Sequence, residues 1–153
     1  MKTIAFILAG TMLLSVAVYG KKISESKVPS AVINTFNTQY PEASRVSWEK
    51  DTNEEFMAFF MLNKLMHFAK YDKDGNWVET AVEMDPDDFP EMVVQALSSQ
   101  FPDYGVYQAA MVKSNNSATY YRAIIDNGIM KYDVNISEDG KLIQEKALVG
   151  MGY

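Results

Sequence analysis

The chain has 153 residues, of which 48% are hydrophobic, 22% charged and 12% aromatic, with a net charge of −6. That balance fits one compact domain or two small halves, and it excludes disordered, collagen-like and coiled-coil classes. The acidic charge argues against a nucleic-acid partner, the absence of cysteine removes disulfides and thiolate chemistry, and a single histidine, His67, removes most His-based catalysis and zinc sites.

Residues 1–20 set Lys2 ahead of an apolar run from Ile4 to Val18, with Gly20 as a small exit residue. The run is shorter than the roughly 20 residues of a membrane span, so the segment reads as a secretory signal peptide cleaved near 20/21. No cysteine is present for lipid attachment, which predicts a product free of the membrane after cleavage. A disulfide-free exported chain fits a bacterial periplasmic or secreted address. Residues 21–27, KKISESK, are polar and are expected to form a flexible leader.

The remainder repeats. Val28-Pro29-Ser30-Ala31-Val32-Ile33 aligns with Phe89-Pro90-Glu91-Met92-Val93-Val94 at an offset of 61. Further on, at an offset of 65, Phe56, Ala58 and Phe60 match Tyr121, Ala123 and Ile125, and Asp74-Gly75 matches Asp139-Gly140. An ordered series of matches indicates a duplication, with halves 28–84 and 85–153. Each half opens with a helix. Val28, Val32, Phe36 and Tyr40 share one face in the first, and Phe89, Val93, Ala96, Leu97 and Phe101 in the second. Pro41 and Pro102 stop them. Strands follow at roughly 43–50, 55–62, 65–72 and 76–84, then roughly 105–113, 118–126, 129–136 and 141–149. Turn residues between them predict antiparallel pairing. The expected architecture is α+β: a tandem α-β-β-β-β repeat with a curved antiparallel sheet and helices packed on one face.

A helix opening on Val-Pro or Phe-Pro and closing on Tyr-Pro or Phe-Pro, a Trp48 strand, and strand pairs closed by Asp74-Gly75 and Asp139-Gly140 resemble the PepSY-like family of exported Bacteroidetes proteins. That family is also described as similar to the beta-lactamase inhibitor protein. The resemblance covers about residues 28–149 and implies the tandem fold without catalytic residues.

Strand alternation assigns the two faces. Phe56, Ala58, Phe60, Leu65, His67, Ala69 and Tyr71 are predicted to face the helices, as are Tyr121, Ala123, Ile125, Met130, Tyr132, Val134 and Ile136. The other face then receives Met57, Phe59, Met61, Met66 and Phe68 in the first half, against Arg122, Ile124, Asp126, Lys131 and Asp133 in the second. An apolar, Met-rich patch on a sheet face marks a contact surface. It is read as the site for a protein or peptide, or for a second copy. Cover by residues 21–27 or 147–153 and a slip of the alternation at a bulge are the competing explanations, and a carrier of a small apolar ligand is the alternative function. Trp77/Glu79 and Val78/Val82 compete for the inner face.

No motif joins an acid, a base and a nucleophile, so no enzyme is predicted. His67 reads as a hydrogen-bonded core residue. The Asp72-Lys73-Asp74-Gly75-Asn76 stretch has its glycine too early for a calcium loop and reads as a plain turn. Asp85, Asp87 and Asp88 read as helix caps. No metal or cofactor is expected.

Overall fold

A computed structural model describes residues 20–148. The predicted signal peptide therefore lies outside the described residues except for Gly20, as do residues 149–153.

The duplication is visible in the helix entries. Pro29 (φ −56°, ψ 140°) and Pro90 (φ −54°, ψ 146°) each hold the chain extended immediately before a helix of ten residues. These are α1, Ser30–Gln39, and α2, Glu91–Gln100. Both end with the same hydrogen bond, from Tyr40 N–H to the Phe36 carbonyl and from Phe101 N–H to the Leu97 carbonyl, each at 2.8 Å. The proline that follows cannot supply the next helical N–H.

The strands are β1 (Lys21–Ile23), β2 (Ser44–Lys50), β3 (Phe56–Leu62), β4 (Leu65–Tyr71) and β5 (Trp77–Glu83), then β6 (Gly105–Ser114), β7 (Thr119–Asp126), β8 (Lys131–Ser137) and β9 (Leu142–Leu148). They form one antiparallel sheet in chain order, β1 to β9. The halves join through β5 and β6, where Ala81 faces Val112 and Val82 faces Met111. Two cores form where the helices cover the sheet. Val32 and Phe36 of α1 pack on Trp48, Phe56, Ala58, Phe60, Ala69 and Tyr71. Val93, Ala96 and Leu97 of α2 pack on Tyr121, Ala123, Ile125, Val134 and Ile136. Phe36 is the hub of the first, with edge-on contacts to Trp48 at 5.2 Å and Phe60 at 5.1 Å between ring centroids.

Two local expectations are corrected, and one open choice is decided. The polar leader is not a flexible segment throughout: Lys21–Ile23 pairs with β2, setting Ile23 opposite Trp48 and packing it on the first core. Backbone pairing and one apolar side chain suffice there, whatever the flanking polarity. Met130 lies in the β7–β8 turn and Leu65 at the tip of the β3–β4 hairpin, both exposed rather than turned inward. The competition in β5 is resolved by a bulge, since Tyr71 faces Trp77 while Lys70 faces Glu79. Trp77, Thr80 and Val82 thereby share the helix side with Tyr71, Ala69 and His67, and Glu79 and Ala81 take the other. Among the described residues, no helix is long and apolar enough to cross a membrane.

Candidate functional site

Pairing fixes which side chains share the helix-free face. Met57 faces Lys70, Phe59 faces Phe68 and Met61 faces Met66 across β3 and β4. Phe68 in turn faces Ala81, Ala81 faces Val112, and Val112 faces Tyr120. All five predicted contact residues therefore lie on one face, in two classes. The expectation that all five are open to a partner is corrected for two of them: Met57 and Phe68 are buried, 0% and 1% exposed, in a third apolar cluster with Ala81, Ala110 and Val112. Phe59, Met61 and Met66 are half-buried and reach the surface. The Phe59 ring rests on Phe68 at 5.3 Å. Gly20 closes part of this cluster: a Cβ there would come within 2.6 Å of the Met57 methyl and 2.8 Å of the Glu49 carboxylate.

A chain of charges borders the cluster. Lys70 Nζ lies 3.4 Å from Glu55 and 3.5 Å from Glu79. The Tyr120 hydroxyl donates to Glu79 at 2.8 Å, reaching from β7 to β5, and burial foremost, with the Glu79 charge next, pushes its phenol well above the ordinary range. Arg122 Nε donates to Asp133 Oδ1 at 2.8 Å, and Arg122 Nη2 donates to Asp133 Oδ2 in a two-point pair that is largely buried. These groups saturate one another. Sequence reading found Arg122 and Asp133 on this face but missed the Glu55–Lys70–Glu79–Tyr120 series, which depends on the β5 bulge that turns Glu79 over.

At the β3–β4 hairpin end lies an open groove of about 300 Å³ lined by Glu42, Ser44, Arg45, Met61, Leu62, Asn63 and Lys64. Its backbone is unusual. Arg45 sits in a bulge of β2 with φ +53°. Asn63 and Lys64 form a two-residue hairpin with φ +52° and +66°, the signature of a type I′ turn. The left-handed region costs a non-glycine residue roughly 1–2 kcal/mol. The turns at Gly75, Gly128 and Gly140, with φ between +81° and +86°, use glycine for the same region. Sequence reading identified Asn63-Lys64 as a turn but had no signal for Arg45, because a bulge leaves no mark in alternation.

The remaining candidates are structural. His67 stacks on Phe60 at 5.3 Å, and its Nδ1 lies 3.1 Å from the Leu65 carbonyl. The Asp72 carboxylate accepts hydrogen bonds from Asp74 N, Asn76 N and Asn76 Nδ2, and those from Asn76 chiefly hold its pKa below the usual range. Asp85 caps the Pro86–Asp88 turn by accepting from Asp87 N–H at 3.0 Å. Among the described residues, no three His, Cys, Asp or Glu side chains gather to hold a metal ion.

Comparisons with known proteins agree with this fold. The family profile described as "Putative beta-lactamase-inhibitor-like, PepSY-like" matches residues 15–58 and 54–144. Solved structures share the fold at low identity. A DUF2874 family protein from Bacteroides ovatus is 23% identical with a TM-score of 0.68, covering 78% of this chain and 86% of its own. One described among "putative periplasmic proteins" of Bacteroides eggerthii is 21% identical with a TM-score of 0.70, covering 78% and 88%. A BLIP-like protein from Bacteroides fragilis is 23% identical with a TM-score of 0.65, covering 81% and 89%. None of the curated proteins compared with the chain matches it.

Proposed function

The chain belongs to the PepSY-like family, and from that premise we propose that it is a periplasmic, non-catalytic binding protein that engages a protein or peptide, or a second copy of itself, through the helix-free face of its sheet. The observation that carries this reading is the contrast between the two halves on that face. The first half presents Phe59, Met61 and Met66 at the surface over the buried Met57 and Phe68. The second presents Arg122 and Asp133, already paired with each other. An apolar area beside satisfied charges suits a contact surface, since methionine adapts to a partner while the charges set its orientation. The described relatives of Bacteroides eggerthii and Bacteroides fragilis, named for the periplasm and for likeness to an inhibitor protein, support the address and the binding role.

Met61 and Met66 face each other across the hairpin, so Met61→Glu with Met66→Lys replaces an apolar pair by a compatible charged one. The expected result is a folded protein that no longer retains a partner from periplasmic extract, or that loses self-association in light scattering. Unchanged capture and assembly by the folded variant would remove the main support for the reading. Phe59 is the poorer target for this test because its ring packs on Phe68.

A further inference from the structure

We infer that the groove between the β2 bulge and the β3–β4 turn binds the carboxylate at the C-terminus of an extended peptide, with Arg45 and Lys64 as the anion-binding pair and Met61 and Leu62 as the apolar floor. The inference deepens the preceding reading, since Met61 belongs to both surfaces. Three observations converge on it. Arg45 and Lys64 line the same groove, and neither has an ion-pair or hydrogen-bond partner among the described residues. Several other cations of this acidic chain are paired: Lys50 with Glu54, Lys70 with Glu55 and Glu79, Arg122 with Asp133, Lys131 with Asp126; Lys21, Lys27 and Lys113 are not, but none of those three lines the groove. Both groove cations also occupy left-handed backbone, where glycine fits without strain. At the second position of a type I′ turn glycine is the favoured residue, and Asn63-Lys64 departs from it at the residue that carries the charge. Strain kept at a surface position points to a use for the side chain. The second repeat has Val106 at the position offset by 61 from Arg45, and Ile129 offset by 65 from Lys64, so the basic groove belongs to the first half alone.

The groove's chemistry selects the occupant. Glu42 also lines it, leaving one net positive charge to be matched by a single anion. The floor accepts one apolar side chain, and the groove is open, which admits the end of a chain. A terminal carboxylate next to an apolar last residue supplies both.

The test uses isotope-labelled full chain and three probes: acetyl-Ala-Leu-Leu with a free carboxylate, the same peptide amidated, and octanoate. The free acid is expected to bind with a Kd on the order of 1 mM, shifting the amide signals of Ser44, Arg45, Asn63 and Lys64, and the amidated peptide and octanoate about tenfold more weakly. Arg45→Gly and Lys64→Gly should each weaken the free acid about tenfold while Tm stays the same or rises, since both relieve left-handed strain. Equal binding of acid and amide, or no shifts with either, overturns the proposal. Octanoate binding as tightly as the peptide overturns the peptide assignment, and a fall in Tm in the glycine variants shows that the cations serve the fold. The titration decides the groove even if partner capture survives Met61→Glu with Met66→Lys, a result that counts against the wider face alone.

Discussion

Gly75 lies against the backbone of Ala31 so closely that a Cβ would stand 2.7 Å from both the Ala31 carbonyl carbon and its oxygen. The turn between β4 and β5 is thereby docked on the first turn of α1, and the Thr35 hydroxyl donates to the Gly75 carbonyl at 2.8 Å. The second repeat does the same with Gly140, whose Cβ would lie 2.7 Å from the Met92 carbonyl oxygen. Gly128, at a similar φ of +85°, has nothing within 4 Å and serves as the control. Gly128→Ala is expected to cost about 1 kcal/mol, the left-handed penalty less the gain in unfolded-chain stiffness. Gly75→Ala adds a backbone clash and should cost roughly 2–4 kcal/mol. Urea denaturation of the two variants compares them directly, and equal losses would show that the docking contact is loose.

The Arg122–Asp133 pair sits largely out of water on the helix-free face. Arg122→Ala strands the Asp133 carboxylate and should cost about 3 kcal/mol, whereas Arg122→Met with Asp133→Leu should recover most of that loss. Denaturant midpoints of the single and double variants test it, and equal destabilisation would mean that packing matters more than charge.

Tyr71 is fully buried, and burial foremost, then the neighbouring Tyr40, pushes its phenol far above the ordinary value of about 10. The folded chain holds this proton where the unfolded chain releases it. The stability so gained is present below about pH 10 and falls as pH climbs toward the folded value, by at most about 1.4 kcal/mol per pH unit. Tyr71→Phe, which also removes the hydrogen bond to Gln39, should flatten this alkaline fall in stability curves from pH 9 to 11. A fall of unchanged steepness would assign it to other groups.

The turn at Asp72 has its carboxylate committed to three hydrogen bonds within the turn. Calcium at about 1 mM, the range of weak extracellular sites, is expected to leave Tm unchanged. A rise of several degrees that disappears in Asp74→Ala would contradict this.

Much of the architecture was legible because it was written twice. The offset of 61 located both helices and that of 65 the strands after them, and alternation placed Phe56, Ala58, Phe60, Tyr121, Ala123 and Ile125 on their core face. What escaped has specific causes. A strand as polar as Lys21–Ile23 is made by its neighbour β2, so its own composition is silent. Bulges at Arg45 and Val78 change the face of later residues without altering composition, which hid the free Arg45 and the Glu79 link to Tyr120. The five apolar residues of the candidate face were legible as a set. Their division into buried Met57 and Phe68 and surface Phe59, Met61 and Met66 depends on neighbours from β5 and β6, far away in sequence.

The most direct test of the binding role is site-specific photocrosslinking in the periplasm, with a photoreactive residue in place of Met61 on the helix-free face and, as control, in place of the exposed Val94 on α2. The account predicts a discrete crosslinked species from position 61, to another protein or to a second copy, and none from position 94. Crosslinks of equal yield from both positions, or a discrete species from position 94 alone, would contradict it.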